Sequence, residues 1–129
     1  MARIYKDYKV YCCFTLNRLV SELGIDLYQP SLEDRLDDIL DDQPSISKEE
    51  IKHEIRSNHF MTNKVIEKLE EDGLVRVEKV EGKYEIKITK AGVFYVRKYN
   101  QFFLNIYKEQ IRDHYRYGGM PHWAREAEK

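Results

Sequence analysis

The chain has 129 residues and a formal net charge of −1, with 35% charged and 42% hydrophobic residues. This composition predicts one globular domain over residues 1–129 and excludes a disordered chain. No apolar run is long enough to cross a bilayer or to form the core of a signal peptide, so we expect no membrane contact and a cytoplasmic location.

The first predicted element is a helix over residues 6–23. The apolar residues that share one face of it, at spacings of three and four, include Tyr8, Cys12, Leu16 and Leu19. We interpret the adjacent Cys12 and Cys13 as small buried hydrophobic residues, because neighbouring cysteines rarely bond to each other. The apolar face is broader than a small domain needs for its own core, which predicts contact with a second chain.

Two short helices are predicted next, each opened by a capping box. Ser31 with Asp34, and Ser47 with Glu50, place an acceptor at the helix start and an acid three positions later. We interpret the outward aspartates of the first helix as a solvated acidic face, because they lack the spacing and central glycine of a calcium loop. No His and Cys residues lie at ligand spacing either, so neither a metal nor a cofactor is predicted.

A turn at residues 58–60, with Phe60 as its buried residue, leads into a third helix predicted over residues 62–72. Gly73 stops this helix, because glycine adopts the left-handed backbone at low cost. Two alternating runs joined by a tight turn at residues 80–83 then predict a two-stranded hairpin.

The last predicted element is a single helix over residues 90–117, capped by Thr89, and residues 118–129 follow as a tail. At 1.5 Å per residue the helix would be about 40 Å long, which exceeds the width of a small domain. We therefore expect its aromatic faces to contact a second copy of the chain. The residues predicted at this dimer interface are Tyr8, Cys12, Leu16, Leu19, Tyr99, Phe102, Phe103, Ile106, Tyr107 and Ile111.

Together these elements predict a mainly α (α+β) fold, a winged helix-turn-helix core at residues 31–89 with a two-stranded β-hairpin wing, between long N- and C-terminal helices. The segment KVIEKLEEDGLVRVEKVEGKYEIKITKAG, residues 64–92, resembles winged helix-turn-helix transcription regulators. The resemblance covers residues 31–115, and its L-E-x-x-G-L-V exit from the third helix is the most specific part. The chain is similar to MarR-like and ArsR-like regulators and to small archaeal winged-helix DNA-binding proteins with a long terminal helix. The resemblance implies a homodimer that binds double-stranded DNA.

In that mode the helix over residues 62–72 enters the major groove, where its N-terminal residues meet base edges, and the wing at residues 79–84 contacts the backbone or the minor groove. The residues predicted to contact DNA are Ser57, His59, Thr62, Asn63, Lys64, Glu67, Lys68, Arg76, Lys79 and Lys83. Residues 31–57 hold four basic and nine acidic residues, whereas residues 58–117 hold twelve and nine. This distribution allows a basic face on the second half of the chain without requiring one.

Two other functions stay open. The near-zero net charge favours a winged-helix module that binds another protein and not DNA. A small-molecule effector could bind between the terminal helices, lined by Tyr99, Tyr107, Tyr115 and Trp123, although core and interface packing also explains these aromatic residues. Enzymatic activity is not expected, since the chain has no Gly-rich phosphate loop, nucleophile elbow or H-E-x-x-H pair.

Overall fold

The computed structural model of the chain describes residues 8–128. The structure is mainly helical with a small three-stranded antiparallel sheet, which confirms the predicted α+β class. In chain order the elements are α1 (Tyr8–Ser21), α2 (Leu32–Asp41), β1 (Ile46–Ser47), α3 (Lys48–Ile55), α4 (His59–Glu71), β2 (Val75–Val80), β3 (Lys83–Ile88), α5 (Lys90–Ile106) and α6 (Lys108–His114). A 3-10 helix at His122–Glu128 lies in the predicted tail. The predicted first helix starts at residue 6, and its first two residues lie outside the described part.

The sheet has the strand order β1-β3-β2, with β3 in the centre. The predicted hairpin is β2 and β3, and Val77 pairs with Ile86 in its register. Glu81 and Gly82 form the turn, both at positive φ, of 52° and 81°, which matches the twist of a two-residue hairpin loop. The strand β1 was not predicted, because its two residues are too short to show alternation.

Helix α1 lies at the centre of the fold and packs against α3, α4, α5 and β3. Eight of its fourteen residues are buried, and the side chains of Val10 and Phe14 are fully buried. The helix that completes a bundle with α3 and α4 is therefore α1. In the predicted core at residues 31–89, α2 was the third helix of this bundle. The contacts of α1 with α3 and α4 correct that assignment. Since α2 buries only Leu32 and Leu36, it has too little apolar surface for a central position.

Helix α2 packs on the outside of the fold through the buried Leu32 and Leu36, and two exposed ion pairs join it to α5. Arg97 Nη2 lies 2.7 Å from Glu33 Oε1, and Lys90 Nζ lies 3.2 Å from Asp37 Oδ1. A backbone hydrogen bond of Glu33 itself lowers the pKa of the Glu33 carboxyl, and the hydrogen bond and charge of Arg97 lower it further. These exposed pairs add little stability on their own, so α2 is a peripheral element.

The loop after α2 is joined to the sheet by the side chain of Gln43. Its Nε2 donates to the carbonyl oxygen of Ile88 at 3.0 Å, and the N–H of Ile88 donates to its Oε1 at 3.0 Å. This double hydrogen bond repeats the pattern by which one strand residue pairs with another. It therefore ties the α2 region to the end of β3.

Of the three predicted helix caps at Ser31, Ser47 and Thr89, one is wrong and two are confirmed. The prediction for Ser31 is wrong, because its backbone is left-handed (φ 61°) and its side chain makes no capping hydrogen bond. Ser47 accepts from the N–H of Glu50 at 3.1 Å, and Thr89 accepts from the N–H of Gly92 at 3.0 Å. Both of these caps are confirmed.

Gly92 allows α5 to start directly against the hairpin. A Cβ at this position would overlap with the carbonyl oxygen of Leu74 and would lie 2.6 Å from Cγ1 of Ile88. The hydroxyl of Thr89 also donates to the carbonyl oxygen of Gly73, at 2.7 Å. The I-T-x-x-G pattern thus marks the place where the backbone of α5 approaches the sheet most closely.

The predicted helix over residues 90–117 is two helices, α5 and α6, which meet at Tyr107. Tyr107 has φ −102° and ψ 21°, outside the helical range, although its N–H still donates to Phe103. The bend keeps α6 on the core, where the ring of His114 stacks on Phe14 with 4.1 Å between centroids. A straight helix would carry these residues away from α1. This corrects the expectation of one 40 Å helix.

Candidate nucleic-acid interface

Helix α4 begins at His59, three residues before the predicted start. Asn58 is its N-cap and accepts from the N–H of Met61 at 2.7 Å. Arg56, at φ 51°, makes the preceding turn. The prediction that Phe60 is buried in this turn is wrong, because Phe60 lies in the first helical turn with 78% of its surface exposed.

Thr62 is the residue that turns inward at this point of α4. Its side chain is fully buried, and its hydroxyl donates to the carbonyl oxygen of Asn58 at 2.9 Å. It therefore has no surface with which to contact a base, which corrects the prediction for this residue. Ser57 is half-buried in the turn before Asn58, and its N–H donates to the carbonyl oxygen of Lys52.

The two halves of α4 differ in charge. In the N-terminal half, His59, Phe60 and Lys64 are exposed and Asn63 is half-buried. No acidic residue occurs between Glu54 and Glu67. The C-terminal half ends in four exposed acids, which are Glu67, Glu70, Glu71 and Asp72. Because a helix also carries partial positive charge at its N-terminus, the first two turns of α4 form the part of this helix that suits a phosphate-rich ligand.

A groove of about 330 Å³ separates α4 from the hairpin. Asn63 and Glu67 line its α4 side, and Tyr84 of β3 lines the other. The Nζ atoms of Lys48 and Lys79 lie 5.4 and 5.7 Å from the centroid of the Tyr84 ring. Two cations and an exposed aromatic ring thus stand opposite the candidate base-contacting residues.

Lys48 and Tyr84 were missed by the sequence reasoning. Tyr84 pairs with Lys79 across the hairpin, and the strand register would have placed it there. Lys48 had no comparable signal, since it reaches Tyr84 only through the pairing of β1 with β3. Lys83 is exposed beside the turn, as the predicted wing position requires.

Three further residues predicted to contact DNA, on α4 and β2, each lie next to another side chain of the chain. Lys64 is exposed, and its Nζ lies 5.0 Å from the centroid of the Tyr8 ring, while the Tyr8 hydroxyl donates to the Lys64 carbonyl oxygen at 3.3 Å. Lys68 Nζ lies 3.1 Å from Asp72 Oδ1, and this hydrogen bond raises the pKa of Lys68. Arg76 Nε lies 3.2 Å from Glu78 Oε1. Lys68 also lies next to residues of α1 and α5, in a different groove from the one that Asn63 and Glu67 line.

The second groove, of about 300 Å³, lies between α1, the C-terminal half of α4, and α5. Aromatic rings of α5 line one side, with Tyr95 and Tyr99 at 4.8 Å between centroids. Next to it Phe102 and Ile106 are 56% and 54% exposed. Apolar surface on α5 thus continues from a partly covered groove onto a fully open face.

The residues predicted at a dimer interface fall into three groups. Leu16, Leu19 and Ile111 are buried in the core of a single chain, and Tyr107 is nearly so. Their burial is explained without a second chain, and they have no side-chain surface left for one. Tyr8, Cys12, Tyr99 and Phe103 are half-buried around the groove, and Phe102 and Ile106 are exposed.

The two adjacent cysteines differ in environment. Neither forms a disulfide, and Cys13 is buried whereas Cys12 is half-buried at the groove. Burial raises the pKa of the Cys13 thiol to about 12. Cys13 is therefore a neutral core residue, as predicted, whereas Cys12, which was also predicted to be buried, is only half-buried.

The predicted lining of an effector site is not assembled. Tyr115 and Trp123 pack on Phe14, with 5.5 and 6.2 Å between centroids, so they belong to the core. Burial, the largest cause, raises the pKa of Tyr115. Tyr99 lines the groove between α1, α4 and α5, whereas Trp123 lines a different cavity, of about 660 Å³, together with Asn100 and Gln101.

Within residues 8–128, no group of three or more His, Cys, Asp or Glu side chains is arranged to hold a metal ion, and no helix is long and apolar enough to cross a membrane. No protein-family model matches the chain, and a search of curated proteins finds none that is significantly similar to it.

Proposed function

We propose that this chain is a winged helix-turn-helix protein that binds double-stranded DNA as a homodimer and regulates transcription. The observation that carries the proposal is the N-terminal half of α4, which is free of acids and exposes His59 and Lys64, together with Lys48 and Lys79 beside Tyr84 on the far side of a groove that Asn63 lines. The helix-turn-helix pair would be α3 and α4, and the wing would be β2 and β3. Helix α1 supplies the supporting core.

The N-terminal half of α4 would enter the major groove, which is wide enough for one helix. His59, Asn63 and Lys64 are the exposed or half-exposed polar side chains there. Asn63 has the amide geometry that pairs with adenine, and Lys64 reaches guanine or phosphate. The acids of the C-terminal half repel phosphate, so the helix would be inserted by its first two turns.

The hairpin would contact the DNA backbone through lysines next to its turn. Lys79 and Lys83 supply charge on β2 and β3, and Lys48 adds a third cation beside Tyr84. Arg76 contributes less, because Glu78 offsets its charge. Phosphate contacts of this kind position a protein on DNA without reading its sequence.

The second copy of the chain would pack on α5. Exposed Phe102 and Ile106 lie one helical turn apart on one face, and they continue the aromatic surface of the groove. Two such faces can meet about a two-fold axis, so the same residues contact each other across the interface. The resulting dimer presents two copies of α4 to one duplex.

One observation favours the alternative, a winged-helix module that binds a protein. The exposed acids at the end of α4 and the near-zero net charge give the molecule a mixed surface, with basic and acidic parts close together. A protein partner tolerates such a surface better than a nucleic acid does. The measurement below separates the two functions.

The test is a salt series of fluorescence anisotropy on a labelled 24-base-pair duplex of random sequence. The test variant is Lys64→Ala/Lys83→Ala, and the matched control is Lys90→Ala/Lys98→Ala, which removes two exposed lysines from α5. We expect the test variant to bind more weakly and to lower the slope of log K against log salt by about two for each chain bound. The control should keep the wild-type slope.

Two results would refute the proposal. One is no binding by the wild type at low salt, which favours the protein-binding alternative. The other is an equal loss of affinity in the test and control variants, which would mean that net charge and not the α4 surface governs the interaction.

A further inference from the structure

Phe60 is the most exposed residue among the phenylalanines of the described chain, and it lies at the leading end of α4. Its side chain is 78% exposed in the first helical turn. Side chains of a helix lean toward its N-terminus, so Phe60 projects farther toward that end than Asn63 or Lys64. No residue of the core needs it, because Thr62 and Val65 supply the buried face of this turn.

The surroundings of Phe60 distinguish it from the other exposed apolar residues. Its neighbours on the surface of α4, one turn along the helix, are Asn63 and Lys64, and His59 precedes it. Phe102 and Ile106, by contrast, adjoin further aromatic surface on α5. A protein interface buries a contiguous apolar centre within a polar rim, and a lone ring among polar groups does not provide that centre.

The major groove offers the complementary pattern. Its floor is formed by polar base edges, and the C5 methyl of thymine is an isolated apolar group among them. Phenylalanine is one of the side chains that contact this methyl. One aromatic ring flanked by an amide, a lysine and a histidine therefore matches a thymine flanked by hydrogen-bonding base edges.

We propose that Phe60 packs against the C5 methyl of thymine and makes the protein prefer thymine under the first turn of α4. This inference rests on the proposed function and adds a sequence preference to it. Asn63, one turn further along the helix, would read an adenine close by, so the preferred site is rich in A·T pairs. Neither contact involves the acids of the C-terminal half.

The test compares two alternating 24-base-pair duplexes, one of adenine and thymine and one of adenine and uracil. The two differ only in the methyl group, since uracil is thymine without it. We expect the wild type to bind the thymine duplex about fourfold more tightly for each chain bound, the factor that follows from burying one methyl group. Phe60→Ala should bind both duplexes equally, and Phe60→Leu should keep part of the preference.

Tyr28→Ala is the matched control, because Tyr28 is an exposed aromatic residue outside α4, in the connector before α2. It should keep the wild-type ratio. Since Phe60 is exposed, its replacement should leave the circular dichroism spectrum and the melting temperature unchanged, which separates a lost contact from a lost fold.

The outcomes separate the two hypotheses. No binding to either duplex at low salt would overturn the proposed function, and this inference with it. Binding with equal affinity for thymine and uracil would overturn the inference alone. A preference that survives in Phe60→Ala would assign the methyl contact to another residue and overturn it as well.

Discussion

Helices α1 and α5 carry similar aromatic and aliphatic patterns, but the fold uses them differently. Helix α1 contacts four other elements and buries eight residues within its own chain. Helix α5 is held at its start by Gly92 and along one face by α1, and it leaves Phe102 and Ile106 open. The width of an apolar stripe therefore does not distinguish core from interface. Both helices contact four other elements, and the difference lies in the buried share, which is eight of fourteen residues in α1 and five of seventeen in α5.

The largest expected effect is a loss of stability on truncating the centre of α1. Phe14 is fully buried and contacts the rings of His114, Tyr115 and Trp123. We expect Phe14→Ala to lower the free energy of unfolding by about 3–5 kcal/mol, measured by urea denaturation. The matched change on α5, Phe102→Ala, should cost well under half of that in the monomer. Equal losses would remove the distinction between the two helices.

A smaller loss is expected at the fixed start of α5. Gly92→Ala adds a Cβ that overlaps with the carbonyl oxygen of Leu74, a backbone atom that cannot move freely. Although alanine favours helix, we expect the overlap to dominate and to lower stability by about 1–3 kcal/mol. Gly118→Ala is the control, because its Cβ would meet only the end of the flexible Arg56 side chain. Thermal denaturation of both variants measures the difference, and a stabilised Gly92→Ala would contradict the close approach.

The open face of α5 provides the third comparison. We expect Phe102→Asp/Ile106→Asp to weaken self-association at least tenfold while leaving the melting temperature of the monomer nearly unchanged, since neither side chain belongs to the core. Sedimentation equilibrium resolves the 15.5 kDa chain from its dimer. Gln101→Asp introduces an acid at an exposed position of the same helix and should leave association intact. A wild type that stays monomeric at all concentrations would refute the dimer.

The smallest effect is kinetic and concerns the two neighbouring thiols of α1. Because burial raises the pKa of Cys13 to about 12, almost none of it is thiolate at pH 8, and we expect a thiol reagent to label Cys12 first. In Cys12→Ala the native protein should react slowly, and denaturant should restore full labelling. A Cys13 that reacts as fast as Cys12 in the native protein would show that α1 is not closed at its centre.

The same pKa shift of Cys13 makes the stability of the fold depend on pH. A raised folded-state pKa disfavours the thiolate in the folded chain, whereas the unfolded chain ionises near the ordinary value of about 8.5. Stability from the neutral Cys13 is therefore complete below about pH 8.5 and falls as pH rises toward 12. Cys13→Ala should remove this part of the pH dependence in urea titrations.

Local signals were sufficient for the caps and turns of the segment from Ser47 to Gly92. Its caps, the stop at Gly73 and the hairpin turn at Gly82 depend on a few neighbouring residues, and the structure bears them out. The boundary of α4 was less accurate, because residues 58–60 were interpreted as a turn with Phe60 buried in it, whereas Asn58 is the N-cap and Phe60 lies in the first helical turn. The packing of α4 on the rest of the fold buries Thr62 and leaves Phe60 exposed, and local sequence does not reveal that choice.

Long-range packing explains what the sequence did not reveal. The buried residues of α5 and α6 recur at spacings of three and four straight through the bend, from Leu104 to Tyr107 to Ile111, so periodicity gives no sign of it. The central place of α1 likewise depends on what surrounds it and not on its own pattern. For the candidate interface, the register of β3 brings Tyr84 and Lys48 together from positions far apart in the chain.

The paired hydrogen bonds of Gln43 have a consequence for the sheet. On the β1 side of β3, strand pairing ends at Ile86, and the next backbone groups that point outward belong to Ile88. Gln43 occupies both of them, so the amide side chain takes the place of a further strand residue. An open strand edge is a template for adding strands from other molecules. The side chain of Gln43 therefore closes the Ile88 end of this edge of β3 to an added strand.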